Sequence, residues 1–261
     1  MKRLFLLAGL AFLLGACSTT PNPITGRNQL LLMSPEEGAA LGLEAMNEVK
    51  KTAKVVTSGP EARRVAMLGA KLAAVSHKPE LDWEFIVIDE DVLNAWALPG
   101  GKIAVYTKML KAFPSDNELS AIMGHEIAHA VLRHSAENAS RQQVQQITVA
   151  GVAVAAGAAT GDDEIANTAL IAGSALASTF VQLPHSRFME LEADDIGAVY
   201  MARAGYDPRG AVRVWQEMKR LSQGGSTPTF LSTHPNDDQR IKRLESKMPE
   251  YVAIYEQSRR P

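Results

Sequence analysis

His125, Glu126 and His129 stand in the order His-Glu-x-x-His, within Gly124-His125-Glu126-Ile127-Ala128-His129. On an α-helix the two histidines lie one turn apart on one face, so their imidazoles can grip a single metal ion. Glu126 follows the first of them and leans beside that face. It is placed for a water at the metal rather than for the metal itself, which is the work of a general base. Ligands, a divalent ion and a base together make a hydrolytic site. The same five residues also arise by coincidence on solvated helices, so the rest of the chain has to supply a further ligand and a scaffold.

The segment Ser115 to Ser140 reads as one helix. Ser115 and Glu118 have capping-box spacing, and Asp116 and Glu118 suit the positive end of the helix dipole. Leu119, Ile122, Met123, Ala130 and Val131 recur at helical spacing and predict a face turned to a core. A catalytic zinc takes three protein ligands and keeps one position for water. One class finds its third histidine on the same segment, as H-E-x-x-H-x-x-G-x-x-H. Here Leu132 replaces the glycine and Ser135 the histidine, which excludes that class. His134 is off the ligand face and is expected to bond backbone or solvent.

A carboxylate from a second helix is the remaining solution, with Glu190, Glu192 and Asp194 as candidates. Glu190 and Asp194 are four apart and share a face, while Glu192 points elsewhere. One of the pair can bind the metal while the other holds a ligating histidine by its free ring N–H. Phe188, Leu191, Ile196, Val199 and Tyr200 run through the same stretch and argue that part of it is buried. Buried carboxylates need partners.

These side chains need elements to carry them. Ser34-Pro35-Glu36-Glu37 opens a helix running to about Lys51, and Glu61 to Ser76 a second one, with His77 in a structural place at its end. Leu81 to Asp89 alternates as a strand and Ile103 to Tyr106 is β-prone. Between them Asn94, Ala95 and Trp96 begin an extended stretch that ends in the turn at Pro99-Gly100-Gly101. Trp96 suits a core, or the stretch forms a sheet edge beside the metal. An edge strand can take up an extended peptide through main-chain hydrogen bonds, so these three residues are candidate substrate-binding positions. Residues 142–182 are rich in Ala, Gly, Ser and Val and predict a close-packed helical hairpin, with a flap or membrane contact as alternatives. Ser186 to Ala204 is helical, Asp207-Pro208 caps a helix whose buried face is Val212, Trp215 and Met218, Gly224-Gly225 is a loop, and a last helix starts near Asn236.

At the front, residues 1–16 read as a secretory signal: Lys2 and Arg3, an apolar run from Leu4 to Leu14, then Gly15-Ala16. Cys17 follows as the only cysteine among 261 residues, so Leu14-Gly15-Ala16-Cys17 resembles the bacterial lipoprotein box. Lipidation of Cys17 would hold the protein to a membrane, and several acyl chains hold where one does not. Residues 17–33 then form a tether or extended arm, and 34–261 a single domain. A net charge of -2 with scattered Lys and Arg favours no nucleic-acid partner.

Taken together, the chain resembles the M48 family of zinc metallopeptidases, and within it the bacterial lipoprotein members. The resemblance is carried by Asn22-Pro23-Ile24-Thr25-Gly26-Arg27 and Gln29-Leu30, Asn94 to Gly101, His125 to His129, Glu190 to Asp194, and His234-Pro235 with Arg240. It implies an α+β, predominantly helical fold of the zincin-like, gluzincin type, with a small sheet whose edge strand borders the cleft. It also implies one zinc ion per chain on His125, His129 and Glu190, with Asp194 in support and Glu126 as base. His234 is then a transition-state donor or a gate on the open metal position, against a plain helix-entry role, and Arg240 orients an acidic partner or forms a surface ion pair. The expected function is a zinc endopeptidase acting on envelope proteins in quality control, lipid-anchored and facing the periplasm, at the outer membrane, to which Ser18 points. The competing expectation is a lipid-anchored chaperone or assembly factor with a latent or structural zinc.

Overall fold

The computed structural model describes residues 19–162, 164–165, 167–168, 170–171, 183–223, 228–235 and 238–260. The expected signal segment, Cys17, most of the second half of the expected hairpin, Gly224-Gly225 and Asn236 lie outside the described residues. The chain forms two compact units. The larger comprises Pro35–Arg133 and Phe188–Pro261, the smaller Met1–Ser34 and His134–Arg187.

The larger unit opens with helix α1 (Pro35–Thr52), strand β3 (Val55–Val56) and helix α2 (Pro60–Ala74), then strands β4 (Glu84–Ile88), β5 (Ala95–Leu98) and β6 (Lys102–Tyr106). Four strands make one sheet in the order β3-β4-β6-β5, in which β4 and β6 are parallel and the outer pairs antiparallel. The expected strand from Leu81 is shorter at its start. Trp83 N–H bonds back to the Leu81 carbonyl at 2.8 Å, which turns the chain and removes both residues from the ladder. Met46, Ile86, Ile88 and Ala104 form a core cluster, and Trp96 packs against it. Among the described residues strand β5 ends the sheet and pairs only with β6, from Ala95 opposite Val105 to Leu98 opposite Lys102.

After helix α3 (Thr107–Ala112) comes α4 (Asp116–Val131), which carries His125, Glu126 and His129 and packs against α2 and β5. Every α4 residue from Leu119 to Val131 is buried, so this is a core helix and not the amphipathic one its spacing predicts. Ser115 is extended, at φ −77° and ψ 136°, and makes no side-chain cap. The expected single helix to Ser140 is two. Arg133 takes φ 59° and its N–H bonds the Ala130 carbonyl, closing α4 in a left-handed turn normally given to glycine. Helix α5 (His134–Thr160) starts one residue later. The unit is completed by α6 (Leu183–Arg203), of which it takes Phe188 onward, and by α7 (Arg209–Ser222), α8 (Thr229–Thr233) and α9 (Asp238–Ser258).

In the smaller unit, β1 (Thr19–Pro21) and β2 (Asn28–Leu30) form an antiparallel hairpin. The expected tether is therefore ordered from Thr19. Asn22 shapes the turn, its Oδ1 accepting from Ile24 N at 2.9 Å and Thr25 N at 3.3 Å. Arg27 grips the fully buried Glu137 of α5 with two bonds of 2.8 and 2.7 Å, Gln29 adds one of 2.9 Å, and Arg141 holds the same carboxylate from the next turn. Two guanidiniums and an amide leave this buried acid fully paired. His134 is buried too, so solvent is not its partner. Further along α5, Ile147, Val152 and Val154 are exposed. Among the described residues no helix is long and apolar enough to cross a membrane.

Candidate metal centre

Two helix backbones have to touch for the site to exist. A Cβ at Gly197 of α6 would lie 2.8 Å from the His125 amide nitrogen, and one at Gly124 would lie 2.9 Å from the Gly197 carbonyl oxygen. Only paired glycines permit that crossing. It brings the carboxylates one and two turns before Gly197 beside the histidines of α4. His125 Nε2 is then 3.0 Å from His129 Nε2, 3.3 Å from Glu190 Oε2 and 3.2 Å from His234 Nδ1. His129 Nε2 is 3.3 Å from Glu190 Oε1, and His234 Nδ1 is 3.0 Å from Glu190 Oε2. One ligand atom from each of these four buried residues lies within 4.8 Å of the others.

The donor set fits a zinc ion. His125 Nδ1 faces Asp194 Oδ1 at 3.0 Å, so Nδ1 carries the ring proton and the Nε2 lone pair points into the centre. There it meets two more imidazoles and a carboxylate, atoms that repel one another unless protons or a cation lie between them. Three nitrogens with one oxygen suit zinc, whereas calcium and magnesium take oxygen ligands. His125, His129 and Glu190 come together as expected for ligands. His234 joins them as a fourth candidate, and Glu192 and His134 stand outside the cluster.

Without the metal, protons do its work. Burial by itself lowers the His125 pKa, but the hydrogen bonds and charges of Asp194 and Glu190 outweigh it and lift the ring to about 9. Burial likewise favours neutral Glu190, yet the charges of His234, His129 and Arg240 and the bond from His125 hold it well below the usual carboxylate range. The sign for stability follows. A histidine whose folded pKa is raised contributes fully below its unfolded value near 6.5 and loses that contribution as pH climbs through about 9. Chelator-treated protein should therefore lose about 3 kcal/mol from this residue between those limits. Thermal unfolding followed against pH checks it, and a melting temperature that is flat or rises over that window would contradict it.

Glu126 is 1 % exposed and its Oε1 accepts no hydrogen bond, although His234 Nε2 lies 3.4 Å away. Burial pushes its pKa up, only partly offset by the charges of His234 and His125. A buried carboxylate with an oxygen to spare beside a metal position is equipped to receive a proton. Behind the ligands sits Arg240, fully buried and thus no surface residue. It donates to Asp194 from Nε at 2.6 Å and Nη2 at 2.7 Å, and its Nη1 lies 2.9 Å from Glu190 Oε2. Burial opposes ionised Asp194, but the Arg240 charge and hydrogen bonds, followed by His125, keep its pKa low.

At the sheet edge, β5 has no strand partner on its outer side among the described residues. Ala95 is buried, Trp96 turns into the core and bonds Tyr106 Oη at 3.4 Å, and Asn94 Oδ1 is buried without a hydrogen-bond partner. Two residues of this site lie beyond what sequence reading placed in it. Trp215 reads as plain core on an apolar helix face, and Phe230 has no motif around it, yet the Phe230 N–H bonds the Leu93 carbonyl at 3.0 Å just before the edge strand.

Comparison with known proteins agrees with this geometry. The family model described as peptidase family M48 matches residues 60–248. A mitochondrial metalloendopeptidase OMA1 of Arabidopsis thaliana is 37% identical over 188 residues, covering 70% of this chain and 36% of the relative. The Saccharomyces cerevisiae protein of that name is 28% identical over 274 residues, covering 95% and 76%. A beta-barrel assembly-enhancing protease of Yersinia pestis is 25% identical over 227 residues, covering 86% and 46%. The chain spans about half the length of most of the curated relatives it matches.

Proposed function

This chain belongs to peptidase family M48, and from that premise we propose that it is a zinc-dependent endopeptidase of the bacterial envelope, lipid-anchored through Cys17 at the outer membrane and clearing misfolded or stalled envelope proteins. The observation that carries the reading is Glu126, a buried carboxylate whose Oε1 accepts no hydrogen bond, beside a convergent set of metal ligands. A purely structural metal has no use for a base. His125, His129 and Glu190 would hold the ion, which when bound supplies Lewis acidity and lowers the pKa of water to about 7. Glu126 takes the proton from the water that attacks the peptide carbonyl and passes it to the leaving amine. Asp194 fixes the His125 ring, and Arg240 fixes Asp194. The outer edge of β5 aligns the substrate main chain as an added strand, with Asn94 Oδ1 available to a peptide N–H. A relative named for beta-barrel assembly supports envelope substrates. The test is casein hydrolysis by purified protein, abolished by a chelator and restored by zinc. Cleavage indifferent to chelator would overturn the reading.

One observation favours a second reading, an assembly factor whose zinc is normally closed off. His234 Nδ1 lies 3.2 Å from His125 Nε2 and 3.0 Å from Glu190 Oε2, close enough to share one ion with them, and four protein ligands fill a tetrahedral ion, as in structural sites. In the proposed enzyme His234 is a gate that must leave for water to enter. His234→Ala should then raise chelator-sensitive casein hydrolysis several-fold. A fall would assign His234 to transition-state support instead.

A further inference from the structure

Trp215 sits on the buried face of α7, but among its apolar neighbours stand several polar groups of the centre. Its indole Nε1–H donates to Asp194 Oδ1 at 3.2 Å. The Arg240 guanidinium carbon lies 3.6 Å from the centre of its ring. Phe230 stacks against it at 5.8 Å and 22°, and Phe230 in turn stacks on His234 at 4.5 Å and 28°. The His125 ring meets it edge-on at 5.7 Å. One side chain thus touches the acid, the arginine and a ligating histidine, and reaches His234 through a single ring.

We propose that Trp215 is a positioning residue of the metal centre, its N–H keeping the Asp194 carboxylate against His125 while its ring aligns Arg240 and the Phe230–His234 stack. This rests on the reading of the cluster as a metal site. Asp194 Oδ1 receives three donors: His125 Nδ1 at 3.0 Å, Arg240 Nη2 at 2.7 Å and the indole. Arg240 also holds Oδ2, at 2.6 Å, so its fork already takes both oxygens, and His125 and the indole share what remains of Oδ1. The indole is a neutral donor that holds Oδ1 without adding a rival charge. A phenylalanine would remove the N–H bond and keep one aromatic ring for stacking, whereas an alanine removes both.

The experiment is a zinc titration against a chromophoric chelator for wild type, Trp215→Phe and Trp215→Ala, with thermal unfolding of each metal-free protein. Trp215→Phe should bind zinc about tenfold more weakly, with a metal-free melting temperature lowered less than that of Trp215→Ala. Trp215→Ala should bind more weakly again and melt lower. Zinc affinity of Trp215→Phe within twofold of wild type would overturn the proposal, even with a lowered melting temperature, because that is the result of packing alone. The cobalt-substituted proteins give a second readout in the cold, should Trp215→Phe be too unstable to titrate. A shifted ligand-field spectrum is expected, and a spectrum superimposable on wild type would overturn the idea. Wild-type protein that bound neither metal would refute the metal site itself, a failure distinct from that of Trp215.

Discussion

Glu126→Gln should lose peptide hydrolysis by roughly 10²–10⁴-fold, the usual worth of a positioned general base, while keeping its zinc. The amide matches the carboxylate in size, so the packing around this buried residue in α4 is retained. What disappears is the capacity to accept a proton. The native carboxylate is primed for that by burial, which raises its pKa, and by an Oε1 that no neighbour bonds. Metal content should not fall, because Glu126 is not one of the four converging ligands. Casein hydrolysis and zinc stoichiometry measured on one preparation test both halves. Cleavage at near wild-type rate would remove Glu126 from the chemistry. Loss of zinc together with activity would make it a ligand or a scaffold.

The second large effect is on stability, at Arg240. It is 2 % exposed and serves two buried carboxylates, Asp194 through a fork and Glu190 through Nη1. Arg240→Ala leaves both acids with less compensation in a dry site, and breaking a buried pair by deleting one partner costs about 3–5 kcal/mol. Part of that should depend on the metal, since a divalent cation at the centre offsets the negative charge that Arg240 no longer balances. Denaturant unfolding should show the variant far less stable than wild type when metal-free, with zinc narrowing the gap. An equal loss in both states would mean that Arg240 acts by packing on Trp215 alone. A loss below about 1 kcal/mol would fit an exposed ion pair and contradict its burial.

The centre was unevenly legible in the sequence. His125 and His129 are set by helical spacing alone, which is local and survives any packing. Spacing could pair Glu190 with Asp194 but could not assign their roles, which depend on a helix crossing at Gly124 and Gly197 that no local pattern announces. The resemblance to M48 peptidases supplied that assignment. Arg240 could be either a surface charge or a partner for an acid, and only its burial decides. Trp215 stayed hidden because an aromatic on an apolar helix face signals core, and its N–H partner lies on another helix. The break at Arg133 was also silent. Neither glycine nor proline marks it, so the periodicity of α4 runs on into α5 without a visible stop.

The β1–β2 hairpin has a mechanical meaning. It begins at Thr19, two residues after Cys17, and Arg27 and Gln29 bolt it to Glu137. At about 3.5 Å per extended residue, a lipid on Cys17 would leave less than about 1 nm of slack before folded protein begins. On the proposed lipidated form, so short a leash would keep the hairpin, and the start of α5 bolted to it, at the bilayer surface.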